Sequence, residues 1–387
     1  MRPLRWLIGI AVVAVVVLAV ARPLWGGRAA APPLAASLDA LPAAEDAAGF
    51  ARATEPDAIQ FPRDFGPHDD YQTEWWYYTG NLTTADGRPF GFQFTIFRRA
   101  LSPGAPAAGS DWRSNQVYLA HFTISDIAGD AFYPAERFSR GAAGLAGATA
   151  EPYRVWLEDW TIAAVAPGQV RLQARTDAVA LDLTLTETLP PVLHGDGGLS
   201  QKGPEPGNAS YYYSIVQQAA AGTVTVGGQA FDVTGRAWKD HEWSTSALSA
   251  GAIGWDWFSL QLDDGGALML FEIRRDDGTR EALSSGSYIA PDGTVTPLAL
   301  GDWTLEVTDT WTSPTSGGEY PAGWRIRVPS LDLELTGRPL MANQELNLST
   351  VYWEGAVGFS GTHRGAPISA QGYIELTGYA GSMEGRL

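Results

Sequence analysis

The chain has 387 residues, enough for two domains of moderate size. Its formal net charge of -17 excludes a nucleic-acid partner, because phosphate binding needs clustered Lys and Arg. It contains no cysteine, which excludes disulfides, thiolate metal sites and cysteine nucleophiles.

At the N-terminus, Arg2 and Arg5 precede an apolar run from Trp6 to Ala21. A basic start, an apolar centre and small residues at its end describe an export signal. Residues 1–30 are expected to be a signal peptide or signal anchor. The body would then be exported, either periplasmic or anchored to the outer face of the cytoplasmic membrane. Membrane contact would run through the N-terminal segment if it is uncleaved. Residues 31–58 are rich in Ala and Pro and read as a linker.

From Phe61 onward, the 15 Trp and 44 Gly of the chain favour strands joined by turns. Asp86-Gly87, Asp264-Gly265, Asp277-Gly278 and Asp292-Gly293 mark tight turns between apolar runs. Residues 181–186 and 331–336 alternate apolar and polar, as a strand with one dry face does. A longer pattern occurs twice. Residues 75–82, an Asp-Gly turn and residues 92–99 form an aromatic strand, a turn and an apolar strand ending in Arg98-Arg99. Residues 255–262, another Asp-Gly turn and residues 268–275 repeat it, ending in Arg274-Arg275. This predicts an all-β chain in which one domain is duplicated, over 59–247 and 248–387.

The run Trp238, Lys239, Asp240, His241, Glu242, Trp243 gathers an imidazole, two carboxylates and two indoles. Imidazole moves protons near neutral pH, and indole offers a flat, electron-rich wall. Alone, such a run also suits an aromatic strand end whose polar groups pair together. Aligning Gly235 with Gly372 puts His241 opposite Gly378, so the second half lacks the feature. That asymmetry favours chemistry over packing. Asp240 and Glu242 should point away from His241 along a strand, as solvated neighbours. Glu74 either orients His241 or pairs with Arg98 or Arg99. Tyr78 and Tyr213 line a pocket or pack a core. His121 reads as a core histidine, while His68, His194 and His363 fall in loops.

Residues 74–82, 211–214, 237–244 and 372–379 together resemble the AttH-type lipocalin-like proteins, relatives of the carotenoid 1,2-hydratases. The resemblance runs from about Phe61 to the C-terminus. It implies two tandem lipocalin-like (calycin) β-barrels holding an apolar lipid or isoprenoid ligand. It also implies cofactor-free hydration or hydrolysis by acid–base residues. His241 would activate water, Trp243 would shield a cation, and Asp256, between Trp255 and Trp257, would be the acid. Glu74, Trp76, Tyr78, Tyr213, Trp255 and Trp257 would line the substrate site. The alternative is a non-catalytic periplasmic lipid carrier. No Gly-x-Ser-x-Gly elbow or His-Glu-x-x-His motif is present, and no metal or cofactor is expected.

Overall fold

The structure, a computed structural model, describes residues 47–104, 109–246 and 248–384. The expected export signal and residues 31–46 of the expected linker lie outside the described residues. Two antiparallel sheets account for nearly all regular structure. The first contains β1 (Thr73–Thr84), β2 (Pro89–Ala100), β3 (Gln116–Asp126), β4 (Ala131–Arg140), β5 (Ala146–Thr149), β6 (Arg154–Leu157), β7 (Trp160–Ala166), β8 (Gln169–Arg175), β9 (Val179–Glu187), β10 (Val192–Leu193), β11 (Leu199–Gln201), β12 (Ala209–Val226) and β13 (Gln229–Ser244). The second contains β14 (Ala252–Leu262), β15 (Ala267–Arg275), β16 (Ser285–Ile289), β17 (Val295–Ala299), β18 (Thr304–Thr312), β19 (Glu319–Val328), β20 (Leu333–Pro339), β21 (Glu345–Asn347), β22 (Val351–His363) and β23 (Ala366–Leu376).

The main strand order is 4-3-2-1-13-12-9-8-7-6-5 in the first sheet and 17-16-15-14-23-22-20-19-18 in the second. The first sheet curls until β4 meets β6, closing around Trp76, Phe92, Phe94, Phe122 and Trp160. The second forms a more open half-barrel around Phe258, Leu270, Trp324, Trp353 and Phe359. The expected tandem lipocalin-like barrels are therefore present.

The repeat is visible in the register. Leu82 faces Gly235 in one sheet, and Leu260 faces Gly372 in the other. A Cβ on Gly235 would lie 2.1 Å from the Asn81 carbonyl oxygen, and one on Gly372 would lie 1.8 Å from that of Ser259. Both close approaches require glycine. His241 pairs with Trp76 on β1. Strand β23 ends at Leu376, before the position that would match His241.

Residues 47–58 depart from the linker expectation. Phe50 and Ala53 are buried, and Ala51 N–H donates to the Asp70 carbonyl at 2.9 Å. The Tyr211 hydroxyl holds the Glu55 carbonyl at 3.0 Å. The few apolar side chains in this stretch are enough to seat it on the first barrel.

The barrels pack through a buried cluster that includes Tyr77, Tyr212, Trp238, Trp257, Phe271 and Tyr373. Gln261 Nε2 donates to the carbonyls of Val216 at 2.7 Å and Ala237 at 3.0 Å, both in the first barrel. His194 bridges Ser214 and Ser287. Among the described residues no helix is long and apolar enough to cross a membrane. Replacing Gln261 with Leu strands two buried carbonyls. We expect a loss of about 2 kcal/mol or more, read as a lower midpoint in urea unfolding. An unchanged midpoint would show that these bonds do not tie the barrels together.

Candidate functional site between the barrels

Strand alternation divides the Trp238–Trp243 run between two environments. Lys239, His241 and Trp243 point into the first barrel. Asp240 and Glu242 point across to the second. On β1, Glu74, Trp76 and Tyr78 point inward, while Trp75 and Tyr77 face the second barrel. On β14, Trp255 and Trp257 face the first barrel, and Asp256 turns away from it.

The inward set is a buried ion-pair network. Lys239 Nζ donates to the Tyr213 hydroxyl at 2.8 Å, which bonds His241 Nδ1 at 3.0 Å. His241 Nε2 meets Glu74 Oε1 at 2.8 Å, and His68 Nδ1 meets the same oxygen at 2.8 Å. Arg98 Nε donates to Glu74 Oε2 at 2.8 Å, with both side chains fully buried. His68 stacks on Trp243 with centroids 3.7 Å apart, and Trp76 stacks on His241. Burial alone would raise the Glu74 carboxyl, but Arg98, His68 and His241 hold it well below its ordinary range. Burial pushes His241 down to about 3 despite Glu74, so this imidazole is neutral at pH 7. Burial also lowers Lys239, to about 7.

His68, Glu74 and His241 offer three potential ligand atoms within 4.8 Å of one another. The charges weigh against a cation there. Glu74 already balances the buried Arg98 guanidinium, and Asp64, beside His68, already pairs with Arg63. A divalent ion would add two positive charges with no carboxylate left to offset them. Of the two readings open for Glu74, pairing with Arg98 is present together with contact to His241.

The outward set lines a cavity of about 140 Å³ between the barrels. Its walls are Trp75, Tyr77, Phe97, Tyr212, Trp255, Trp257 and Phe271, with Leu248 and Ile273. Four carboxyl groups enter this apolar space: Asp240, Glu242, Glu354 and Glu375. Asp240 accepts from the Tyr212 hydroxyl at 2.7 Å, from Trp238 Nε1 at 2.6 Å and from Ser214. Burial nevertheless pushes it up to about 7. Burial, opposed by the Trp255 indole, raises Glu375 to about 7 as well. Glu242 accepts from Ser210 and faces Lys202 Nζ at 3.1 Å. Glu354 has no solvent exposure, and neither carboxylate oxygen has a well-formed hydrogen bond. Burial and the neighbouring charge of Glu375, its cross-strand partner, raise it well above its ordinary range. A carboxyl so placed is held as the neutral acid.

Asp256 lies apart from both sets. Its carboxylate accepts from Arg274 Nε at 2.9 Å and from the Tyr379 hydroxyl at 2.9 Å. This repeats the Glu74–Arg98 arrangement in the second barrel. His241 and Asp256, expected to share one pocket, thus belong to separate networks, and neither lines the cavity. Among the expected substrate-site residues, Trp255 and Trp257 line it. Glu74, Trp76, Tyr78, Tyr213 and Trp243 face the first barrel instead. Asp240 and Glu242 are buried rather than solvated, because the second barrel covers their face. The sequence reading also passed over Glu354. A charged residue within the otherwise apolar run of residues 351–359 was its available signal. His68, in a loop, offered none.

This geometry can be set beside known proteins. Residues 52–379 match the AttH-like family. The chain belongs to that family. A crystal structure of an AttH protein from Nitrosomonas europaea is 36% identical, covering 85% of this chain and all of that one, with a TM-score of 0.75. Kievitone hydratase from Nectria haematococca shares the fold at 16% identity and TM-score 0.64, covering 86% of this chain and 97% of its own. The dehydratase asqC of Emericella nidulans is 23% identical over 219 residues, or 54% of this chain. The match spans 60% of that relative's length. The chain thus shares its fold with a hydratase and part of its sequence with a dehydratase.

The inner network carries its own prediction. Glu74→Gln leaves the buried Arg98 without a counter-charge and should cost about 3–5 kcal/mol of stability. Chemical denaturation measures this, and a loss under about 1 kcal/mol would mean that the pair is not a structural lock.

Proposed function

We propose that the cavity between the barrels adds water to, or removes it from, a small apolar alkene or tertiary alcohol group, without a cofactor. The observation that carries this reading is Glu354, a fully buried carboxyl in an aromatic-walled cavity, neither of whose oxygens has a well-formed hydrogen bond. In the hydration direction Glu354 protonates one alkene carbon. The indoles of Trp255 and Trp257 and the Trp75 ring shelter the positive charge on the other. Glu242, paired with Lys202, takes a proton from the attacking water. Dehydration runs the same steps in reverse. One environment keeps a carboxyl neutral and the other keeps one beside a cation, which is how two carboxyls acquire opposite roles. The relationship to a hydratase and a dehydratase supports the reaction class.

Cavity size supports a substrate that enters by one end. A space of about 140 Å³ is close to an engineered cavity of about 150 Å³ that holds benzene. It suits one ring or one branched five-carbon unit of a longer lipid or isoprenoid. Carriage of a whole lipid would need more room. We place the protein outside the cytoplasm on the strength of residues 1–30.

Incubation with prenyl-type alkenes and tertiary alcohols in D₂O, followed by mass spectrometry, tests the reading. Turnover should incorporate deuterium at carbon. Glu354→Gln should lower kcat by about 10²-fold or more, the scale of a lost general acid. Full activity in that variant would overturn the assignment. Activity should also fall as pH rises through about 7, where Asp240 and Glu375 lose their protons and place new negative charge beside the acid. An alkaline limb elsewhere would point to other groups.

A further inference from the structure

Glu354 has no solvent exposure, so while substrate or product fills the cavity its proton must be replaced through the protein. Each hydration leaves it as a carboxylate that must be recharged. A chain of side chains leads from it to the surface through the other barrel. The Tyr352 hydroxyl borders both the cavity and the Glu354 carboxyl, close enough for the two to couple, although no well-aligned bond is closed between them. His121 Nδ1 lies 2.7 Å from the Tyr352 hydroxyl. His121 Nε2 lies 3.1 Å from Glu136 Oε2. Glu136 is the cross-strand partner of His121, and its side chain is 19% exposed. Ser349, from the second barrel, donates a hydrogen bond to the Glu136 carboxylate.

We infer that Glu136, His121 and Tyr352 form a proton relay that recharges Glu354 from solvent. This rests on the reading of Glu354 as the acid. The balance is one proton in and one out. A proton taken from solvent onto Glu136, whose carboxyl His121 and Ser349 hold below its ordinary range against the effect of burial, passes to His121 Nε2. His121 Nδ1 releases one to the Tyr352 oxygen, which hands its own to the Glu354 carboxylate. His121 and Glu136 touch no substrate and act only through Tyr352. Any buried histidine needs a partner on each nitrogen; here one partner borders the cavity and the other reaches the solvent side, so the ring joins the two.

Infrared spectroscopy of the full chain tests the relay without a substrate. A buried neutral carboxyl has its own carbonyl stretch, which shifts when its proton is replaced by deuterium. The band removed by Glu354→Gln belongs to Glu354. After transfer into D₂O, His121→Phe and Tyr352→Phe should each slow the shift of that band by about tenfold or more relative to the parent chain. Glu136→Gln, at the solvent end of the chain, perturbs folding least and should also slow it. Parent-like exchange in a folded His121 or Glu136 variant overturns the relay and leaves the acid assignment standing. If Glu354→Gln removes no band, the neutral acid itself is overturned, and the relay with it.

Discussion

The period-two alternation of β13 and β14 is the constraint on which the rest of this structure depends. A strand offers its residues to two faces in turn, and here the faces belong to different environments. His241 and Asp240 are chain neighbours yet never meet. One enters a sealed ion-pair network and the other a cavity. The same division on β14 sends Trp255 and Trp257 to the cavity and Asp256 to Arg274.

The two environments treat charge in opposite ways. Inside the first barrel, Arg98, His68, His241, Tyr213 and Lys239 surround the Glu74 carboxylate or connect to it, and each of these side chains finds a partner. Such a network resists change, because removing one member leaves another buried and uncompensated. Between the barrels, the carboxyls outnumber the cations. Among the described residues, only Lys202 brings a cation to the cavity walls, and it faces Glu242. Burial raises the remaining three toward the protonated form. A fold normally avoids orphaned buried groups, and one kept at a cavity wall points to a task. The first barrel makes a rigid scaffold, and the surface it shares with the second makes a reactive one.

Much of this was legible in the sequence. The paired aromatic hairpins and the Gly235–Gly372 correspondence led to tandem barrels, because turns and alternation are local properties. The unusual run at Trp238–Trp243 was also recognisable, as was the opposed direction of His241 and its two acidic neighbours. The environment of each face was not. Asp240 and Glu242 looked solvated because nothing local to them says that a second barrel covers them. His68 reaches Glu74 from a loop whose path depends on tertiary packing. Asp256 resembled an acid among indoles, but its indole neighbours point the other way, and an Arg two strand positions beyond its cross-strand partner claims its carboxyl.

The central claim is that apolar ligands enter the space between the barrels rather than the interior of the first. A crystal structure with a small prenyl-type probe, such as 2-methyl-2-butanol, addresses it most directly. The account predicts density between Trp255 and Trp257 with the hydroxyl beside Glu354 or Glu242. Density inside the first barrel against His241 and Trp76, with the inter-barrel cavity empty, would contradict it.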